Sequence, residues 1–418
     1  TKKIRNKNLL KNTNKNKTNK KKNVSNKTKN KTKKISPKLH KTLIIKNNTP
    51  SFFKKILNKI QKEIEMHENS NISLKSYSPS VNKELISNKS ILKKDLIDNC
   101  NYEWMNVKME EWFNKPAKIN VGNNKCLDVR DEISQAILLD NLSSNKIIEG
   151  KYLITPKQYQ SNCWFNTLFM NIFISDKGRK FFKYIRQLMI QGKKNNNEKI
   201  PERLWLAFGY LNLYIESVLN GKSHNIDFNT NELILSIYYS IPENERGYFI
   251  DLKTDANNPI YYLLDILTYL NYNPIKLEII EYKNSNTINN INSTLSYIPD
   301  IIILKIKNIQ TNDNSNEELH KKSVILNINI KNQSIKYRLD SIILRDIKEK
   351  HFCSLLTYNK NEYGFDGVSY RKLSKFNWKQ MINKNKNWTF KGSNWRENNE
   401  SIIWNFQNGY QLLFYYRI

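Results

Sequence analysis

Residues 158–171 read Gln158-Tyr-Gln-Ser-Asn-Cys163-Trp-Phe-Asn-Thr-Leu-Phe-Met-Asn171, with a cysteine immediately before an apolar segment of helical spacing. The thiolate is the reactive form of cysteine, and the N–H groups and macrodipole at a helix N-terminus stabilise it. The same N–H groups, with a nearby side-chain amide, can bind the oxyanion of an acyl-transfer intermediate. A single cysteine at such a place is more often a buried structural residue, so this stretch alone indicates only a candidate nucleophile.

A later segment supplies the partners that a thiol nucleophile needs. It runs from His351-Phe-Cys to Gly-Phe-Asp366 and has the pattern of two short strands joined by a turn near 359–361. Taken singly, His351 is an ordinary strand residue and Asp366, before Gly367, is a turn former. In the hairpin, however, Asp366 can fix the tautomer of the imidazole while the other ring nitrogen faces the thiol of Cys163.

Segments around these residues resemble the ubiquitin-specific proteases, a family of papain-like deubiquitinases. Cys163-Trp-Phe-Asn166 is similar to the start of the family's catalytic helix, and His351-Phe and Phe365-Asp366 are similar to its late histidine box. The resemblance covers about residues 151–418. Further similar segments follow in the family's order: Asp255-Ala with Tyr261-Tyr-Leu-Leu-Asp-Ile-Leu, Tyr297-Ile-Pro-Asp-Ile-Ile-Ile-Leu, Tyr337-Arg-Leu-Asp and Asn408-Gly-Tyr-Gln-Leu-Leu-Phe-Tyr-Tyr-Arg417.

The resemblance implies a papain-like cysteine protease fold of the α+β class, with a helical lobe carrying the cysteine and a β lobe carrying the histidine and aspartate. It implies Cys163 as nucleophile, His351 as general base and Asp366 as the residue that orients the histidine. The family's oxyanion asparagine corresponds to Gln158, and Gln160 is a weaker candidate for the same role. The implied substrate is ubiquitin or a ubiquitin-like modifier, with no cofactor and no metal.

Besides Gln158, the sequence departs from the family at three points. Lys350 stands where a glycine usually precedes the histidine, and Gly367 stands where an acidic residue usually follows the aspartate. The family's zinc-bearing fingers are expected to be absent, because no paired cysteines occur between the two boxes. Ubiquitin would then contact a smaller surface than is usual in the family.

Periodicity divides the later part of the chain into helices followed by strands, which is typical of the α+β class. Helical spacing occurs over 168–190, 204–219 and 261–270, the last just after Pro259, a residue favoured at helix starts. Strand patterns cover 301–306, 324–330, 335–343, 352–358 and 411–416. Helical spacing also occurs at 51–64 and around 104–112, and Trp378, Trp388, Trp395 and Trp404 are expected in the core.

Three regions are predicted along the chain: a disordered basic tail at 1–50, a helical region with a linker at 51–150, whose role is unknown, and a catalytic domain at 151–418. The tail holds 18 Lys or Arg residues and no Asp or Glu, out of a formal net charge of +31. Such a segment binds nucleic acid nonspecifically or is a solvated leader. The Lys, Asn and Ile excess is typical of AT-rich coding and suits a large DNA virus or a protist.

The four cysteines are too scattered for a disulfide framework, which favours a reducing intracellular compartment, or a virion if the source is viral. No apolar run reaches the roughly 18 residues that span a bilayer, and no membrane partner is expected. The predicted function is a thiol-dependent hydrolase of the deubiquitinase type. Two alternatives stay open. One is a catalytically weak or inactive papain-like scaffold, or a virion-associated protein, that binds nucleic acid through the basic tail. The other is a protease that processes viral or structural precursors.

Overall fold

In the computed structural model, all the described residues lie within Leu43–Ile418. The basic tail, the expected helix at 51–64 and the one around 104–112 lie outside the described residues. Described are residues 100, 117–121, 125–143, 148–159, 161–220, 229–247, 258–272, 275–282, 295–307, 321–368, 373–395 and 398–418.

The first half of the described chain is helical, as expected. Pro259 occupies the first turn of the last of these helices, and Asn258 caps it by accepting a hydrogen bond from the Ile260 N–H at 3.1 Å. The helices are α1 (Glu132–Ser143), α2 (Cys163–Phe169), α3 (Gly178–Phe181), α4 (Lys183–Gln191), α5 (Glu202–Asn220), α6 (Thr230–Ser240) and α7 (Pro259–Tyr269).

The single helical segment expected over 168–190 is wrong, since the chain forms three helices there. Helix α2 passes into a π-helical turn, Met170–Ile174, which ends at Ser175. The Ser175 hydroxyl donates to the Asn171 carbonyl at 2.7 Å and accepts from the Gly178 N–H at 3.1 Å, so it replaces helical backbone bonds. Helices α1 and α6 were not expected from the helical spacing of apolar residues in the sequence.

An eight-stranded sheet forms the second half, and each strand expected from the sequence is present with small changes at its ends. The order is β3-β4-β10-β6-β7-β8-β9, with β5 also paired to β6, and only β3 and β4 run parallel. A separate two-stranded sheet joins β1 (Lys118–Asn120) and β2 (Cys126–Asp128). The large sheet contains β3 (Leu277–Glu281), β4 (Ile301–Ile306), β5 (Ile325–Ile330), β6 (Gln333–Arg345), β7 (Phe352–Tyr358), β8 (Asn361–Phe365), β9 (Ser374–Lys375) and β10 (Gln411–Arg417).

Strands β4, β7 and β10 of the large sheet are buried on both faces. Successive side chains of a strand point to opposite sides, so each strand contributes to two cores. Ile301 and Ile303 of β4 pack into a core shared with the helices, whereas Ile302 and Leu304 pack into a second core. The second core contains the fully buried Trp378 and Trp404 with the partly buried Trp388 and Trp395, which confirms the expected packing role of the four tryptophans.

Residues before 150 share the core of the helices. The hydrophobic cluster that contains α2 also includes residues that precede position 150. They are Ala117, Val129 and, from α1, Ile137, Leu138, Leu139 and Leu142. Residues 144–147 lie outside the described residues, and the expected boundary at 150 stays a prediction.

Two of the four cysteines are bonded to each other. Cys100 and Cys126 form a disulfide across a sequence separation of 26, whereas Cys163 and Cys353 are free and buried. The expectation of unpaired cysteines is therefore wrong for this pair, because the fold brings together two residues whose distance in the chain gave no sign of contact. The cysteines consequently no longer support a reducing compartment, where stable disulfides are rare.

Candidate active site

Cys163 is the first residue of α2, as the sequence predicted, and only 4% of it is exposed. The helix start is not capped by the side chain of the preceding Asn162. Instead, the Asn162 Nδ2 donates to the Thr230 hydroxyl at 2.8 Å, at the first residue of α6. Two helices that are far apart in sequence are thereby joined next to the cysteine.

The same threonine also holds the other end of the first turn of α2. Its hydroxyl donates to Asn166 Oδ1 at 2.8 Å, and Asn166 Nδ2 donates to the Lys157 carbonyl at 3.3 Å. Asn162, Asn166 and Thr230 are all buried. This network fixes α2 against α6 and against the segment that leads to Gln158. Asn166 was singled out in the sequence only as part of a motif, and Thr230 was missed because nothing in the sequence marks it.

Aromatic and polar contacts place α2 against α7 and the sheet. The Tyr262 ring of α7 lies 5.1 Å from Trp164 and 5.7 Å from Phe165, measured between centroids. On the sheet side, the Ser354 hydroxyl of β7 donates to Asn171 Oδ1, just beyond α2. The helix that begins with Cys163 is therefore packed directly beside the strand that follows His351.

His351 and Asp366 meet as the predicted hairpin requires. Asn359 and Lys360 form the β7–β8 turn with φ of 48° and 63°, a backbone conformation typical of two-residue hairpin turns. His351 immediately precedes β7 and Asp366 immediately follows β8, and His351 Nε2 lies 2.7 Å from Asp366 Oδ1. Both side chains are buried.

Both oxygens of the Asp366 carboxylate accept further hydrogen bonds. Oδ1 accepts from the Val368 N–H at 3.0 Å, and Oδ2 accepts from the Ser393 hydroxyl at 2.5 Å. Ser393 is fully buried and comes from the segment between β9 and β10. Ser393 could not be recognised from the sequence, because one serine in a polar stretch has no distinguishing pattern.

Asp346, which the sequence analysis did not identify, holds the backbone of His351. Asp346 Oδ1 accepts from the N–H groups of Lys350 and His351, each at 2.6 Å, and Oδ2 accepts from the Lys348 N–H at 3.1 Å. The positive φ in this loop, 56°, occurs at Glu349 rather than at Lys350. A lysine therefore fits where the resembling family has glycine.

Burial and charge act in opposite directions on the two titrating side chains. Burial lowers the pKa of His351, but the hydrogen bond to Asp366 and the nearby Cys163 thiol raise it by more, so the net pKa is well above its usual value. Burial raises the pKa of Asp366, but the bond to His351 and the Ser393 hydroxyl outweigh it and lower the pKa. At neutral pH this pair is an imidazolium next to a carboxylate.

The other ring nitrogen of His351 is available for chemistry. Within the described part of the chain, the buried Nδ1 makes no hydrogen bond of regular geometry. The Cys163 thiol is nevertheless close enough to raise the pKa of the ring. Nε2 thus faces the carboxylate and Nδ1 is left for the thiol, a division of roles that suits a thiol nucleophile with its base.

Gln158 lies against the residue that follows Asp366. Its N–H donates to the Gly367 carbonyl at 3.0 Å, and a Cβ at position 367 would lie 3.2 Å from the Cβ of Gln158. This close approach explains why glycine stands where the family has an acidic residue. Among the described residues, the buried Oε1 of Gln158 has no hydrogen-bond partner. Gln160 lies outside the described residues, and the oxyanion role stays a prediction.

No group of three or more His, Cys, Asp or Glu side chains in the described ranges could hold a metal ion. In the same ranges, no helix combines the length and apolarity that crossing a membrane requires.

Comparison with known proteins gives distant structural similarity only. No family model and no curated protein matches the chain. The SAGA DUB module containing Ubp8, bound to monoubiquitin, is 10% identical, with a TM-score of 0.40 and coverage of 87% of this chain and 96% of that one. An essential yeast splicing factor is also 10% identical, with a TM-score of 0.37, and the match covers 76% of this chain and 89% of the splicing factor's chain. Overlays this loose assign neither a family nor an activity.

Proposed function

We propose that this chain is a thiol hydrolase that cleaves ubiquitin or a ubiquitin-like modifier from its conjugates. The observation that carries the proposal is the buried His351–Asp366 pair, 2.7 Å apart, beside a cysteine at the start of a helix. This arrangement supports Cys163 as the nucleophile, His351 as the base and Asp366 as the orienting carboxylate. Helices on the Cys163 side and the sheet on the His351 side support the papain-like arrangement that the sequence resemblance implies.

The reaction would be acyl transfer through a thioester. The Cys163 thiolate attacks the carbonyl carbon of the scissile amide, and the carbonyl oxygen becomes an oxyanion. The intermediate collapses as the imidazolium of His351 gives its Nδ1 proton to the leaving amine. Neutral His351 then takes a proton from water, whose oxygen attacks the thioester and releases the carboxylate product and the thiol.

Asp366 would act on the orientation and charge of the imidazole without itself exchanging protons. Its lowered pKa keeps it a carboxylate at working pH, and its bond to Nε2 directs Nδ1 towards Cys163. The raised pKa of His351 favours the imidazolium that donates the proton to the leaving amine. The two shifts therefore support the same assignment of roles.

Gln158 is the proposed oxyanion donor. Its backbone is held 3.0 Å from Gly367, next to Asp366, so its side chain belongs to the surroundings of the pair. The amide at the end of this side chain carries a donor, Nε2, which would donate to the oxyanion that develops on the substrate carbonyl.

The choice of ubiquitin or a ubiquitin-like modifier rests on the resemblance of the sequence segments around Cys163, His351 and Asp366. A probe consisting of ubiquitin with a C-terminal electrophile tests the chemistry and the substrate together. We expect a covalent adduct that mass spectrometry maps to Cys163 and that is lost in Cys163→Ser.

Cys353 provides the matched control, since it is the other free cysteine and is also buried. Cys353→Ser should keep full labelling by the probe. An adduct on Cys353, or none on the wild-type chain with ubiquitin or ubiquitin-like probes, would refute the proposed function.

A further inference from the structure

The Asp366 carboxylate is held from a part of the chain that the reaction scheme does not use. The Ser393 hydroxyl donates to its Oδ2 at 2.5 Å across 27 residues, and both residues are buried. Oδ1 is already occupied by His351 Nε2 and the Val368 N–H. A carboxylate bonded at both oxygens cannot turn about its Cβ–Cγ bond without breaking hydrogen bonds.

Ser393 is itself fixed by backbone hydrogen bonds. It lies in the described residues 388–395 and 398–404, here called the aromatic hairpin, where its N–H donates to the Phe390 carbonyl at 3.1 Å and its carbonyl accepts from the Ile402 N–H at 2.9 Å. Trp388 and Trp404 exchange two backbone hydrogen bonds and stack their rings at 5.4 Å. Hydrogen bonds on both sides of Ser393 therefore fix the backbone that carries the hydroxyl.

The aromatic hairpin is also packed against the catalytic pair. A Cβ on Gly364 of β8 would lie 2.5 Å from the Phe390 ring, so the hairpin touches the strand that leads into Asp366. The rings of Trp395 and Trp404 lie 6.1 Å and 5.9 Å from the imidazole of His351. Asp366 is 2% exposed and Ser393 is fully buried, so water does not compete for their hydrogen bond. A hydrogen bond in such a low-dielectric place is stronger than one in water.

We propose that Ser393 is a positioning residue of the site, whose hydroxyl locks the Asp366 carboxylate and so aims His351 Nδ1 at Cys163. The proposal rests on the proposed thiol-hydrolase function. It assigns a role at the site to a segment that carries none of the motif residues.

A double-mutant cycle on ubiquitin-reporter turnover tests this role. Ser393→Ala should lower kcat about tenfold with little change in KM, because one hydrogen bond to a charged group is lost. In an Asp366→Ala background the same change should cost less than twofold, because the serine acts only through the carboxylate. Equal losses in both backgrounds would show a merely structural role and overturn the proposal.

Ser401→Ala is the matched control. Ser401 lies in the same hairpin and donates to Asn394 Oδ1 at 3.2 Å on the exposed surface. The Ser401→Ala variant should have the same kcat and the same thermal unfolding midpoint as the wild-type chain. A loss of kcat in Ser401→Ala equal to that in Ser393→Ala would also contradict the specific role.

A second readout requires no ubiquitin substrate. Alkylation of Cys163 by iodoacetamide, followed by mass spectrometry across pH, reports formation of the thiolate. Ser393→Ala should move this profile to higher pH, because a carboxylate free to turn stabilises the imidazolium less, and should do nothing in the Asp366→Ala background. If ubiquitin probes fail but this coupling is seen, the positioning role stands and the proposed substrate falls. An unshifted profile overturns the positioning role.

Discussion

The imidazole of His351 is approached on both ring nitrogens, by the Asp366 carboxylate at Nε2 and by the Cys163 thiol on the other side. Groups arranged in this way act as a unit, so removing one removes most of the catalysis. Cys163→Ser and His351→Ala should each abolish reporter hydrolysis without unfolding the chain. Turnover assays alongside thermal melts check this expectation. Full cleavage by folded Cys163→Ser would mean that the nucleophile is elsewhere.

The prediction for Gln158 is a loss of turnover rather than of substrate affinity, because a donor to the oxyanion would act mainly in the transition state. Gln158→Ala should lower turnover about 10²-fold, which corresponds to about 3 kcal/mol, with little effect on KM. Gln160→Ala is the control and should cost much less. Steady-state kinetics of both variants decide the matter, and the opposite ranking would move the donor to position 160.

The raised pKa of His351 predicts how activity depends on pH. The imidazolium donates the proton to the leaving amine, so activity is lost as pH rises through the pKa of His351 in the folded chain. Asp366 raises that pKa. Asp366→Asn removes the charge, so the alkaline limb should move to lower pH while measurable activity remains. A kcat/KM profile from acid to alkaline pH is the measurement, and an alkaline limb that stays in place would contradict the assignment.

At the scale of elements, the start of α2 depends on a threonine from α6. Thr230→Val keeps the shape but removes two buried hydrogen bonds, to Asn162 and Asn166, and should lower the free energy of unfolding by about 1–3 kcal/mol. Turnover should also fall, because Cys163 lies in the turn that the two asparagines anchor. Thr268→Val, on the exposed face of α7, is the control for denaturation and kinetics. If both variants had the same free energy of unfolding as the wild-type chain, the hydrogen bonds of Thr230 would be dispensable for stability.

Elements with a strong local pattern were predictable from the sequence. Strands β4 and β7 have the expected bounds because runs of β-branched and large apolar residues favour buried strands. Helix α7, expected just after Pro259, begins at that residue. The hairpin that joins His351 to Asp366 followed from the spacing of its two strands. In these cases local chemistry and tertiary structure favour the same conformation.

What could not be predicted depends on contacts between distant residues. The break after Ile174 depends on the hydroxyl of Ser175, and the supports of the site come from Thr230, Asp346 and Ser393. Each is a single polar residue whose partner is set by the fold rather than by its neighbours in sequence. The Cys100–Cys126 bond belongs to the same class.

At the scale of the whole molecule, nucleic-acid binding by the basic tail and turnover at the candidate site are expected to be separable. Residues 1–50 carry 18 positive side chains and no negative ones, whereas every residue assigned to the site lies after position 151. Deleting 1–50 should abolish nonspecific DNA and RNA binding and leave reporter turnover unchanged.

The measurement is nucleic-acid affinity across a salt series for the full and shortened chains, with turnover assayed in parallel. Affinity of the full chain should fall steeply with salt. Equal affinity after deletion, or weak dependence on salt, would place the binding surface in the rest of the chain.

Strand β10 follows every other strand in the chain, yet it lies between β4 and β6 and pairs with both. A ribosome therefore releases β4 and β6 before it makes the strand that must separate them, and the sheet has a gap at its middle until Gln411–Arg417 emerge. Nascent chains stalled before residue 411 should stay sensitive to protease, and those extended by a linker beyond 418 should gain resistance. The proposed hydrolase activity would then appear only after synthesis of the whole sheet.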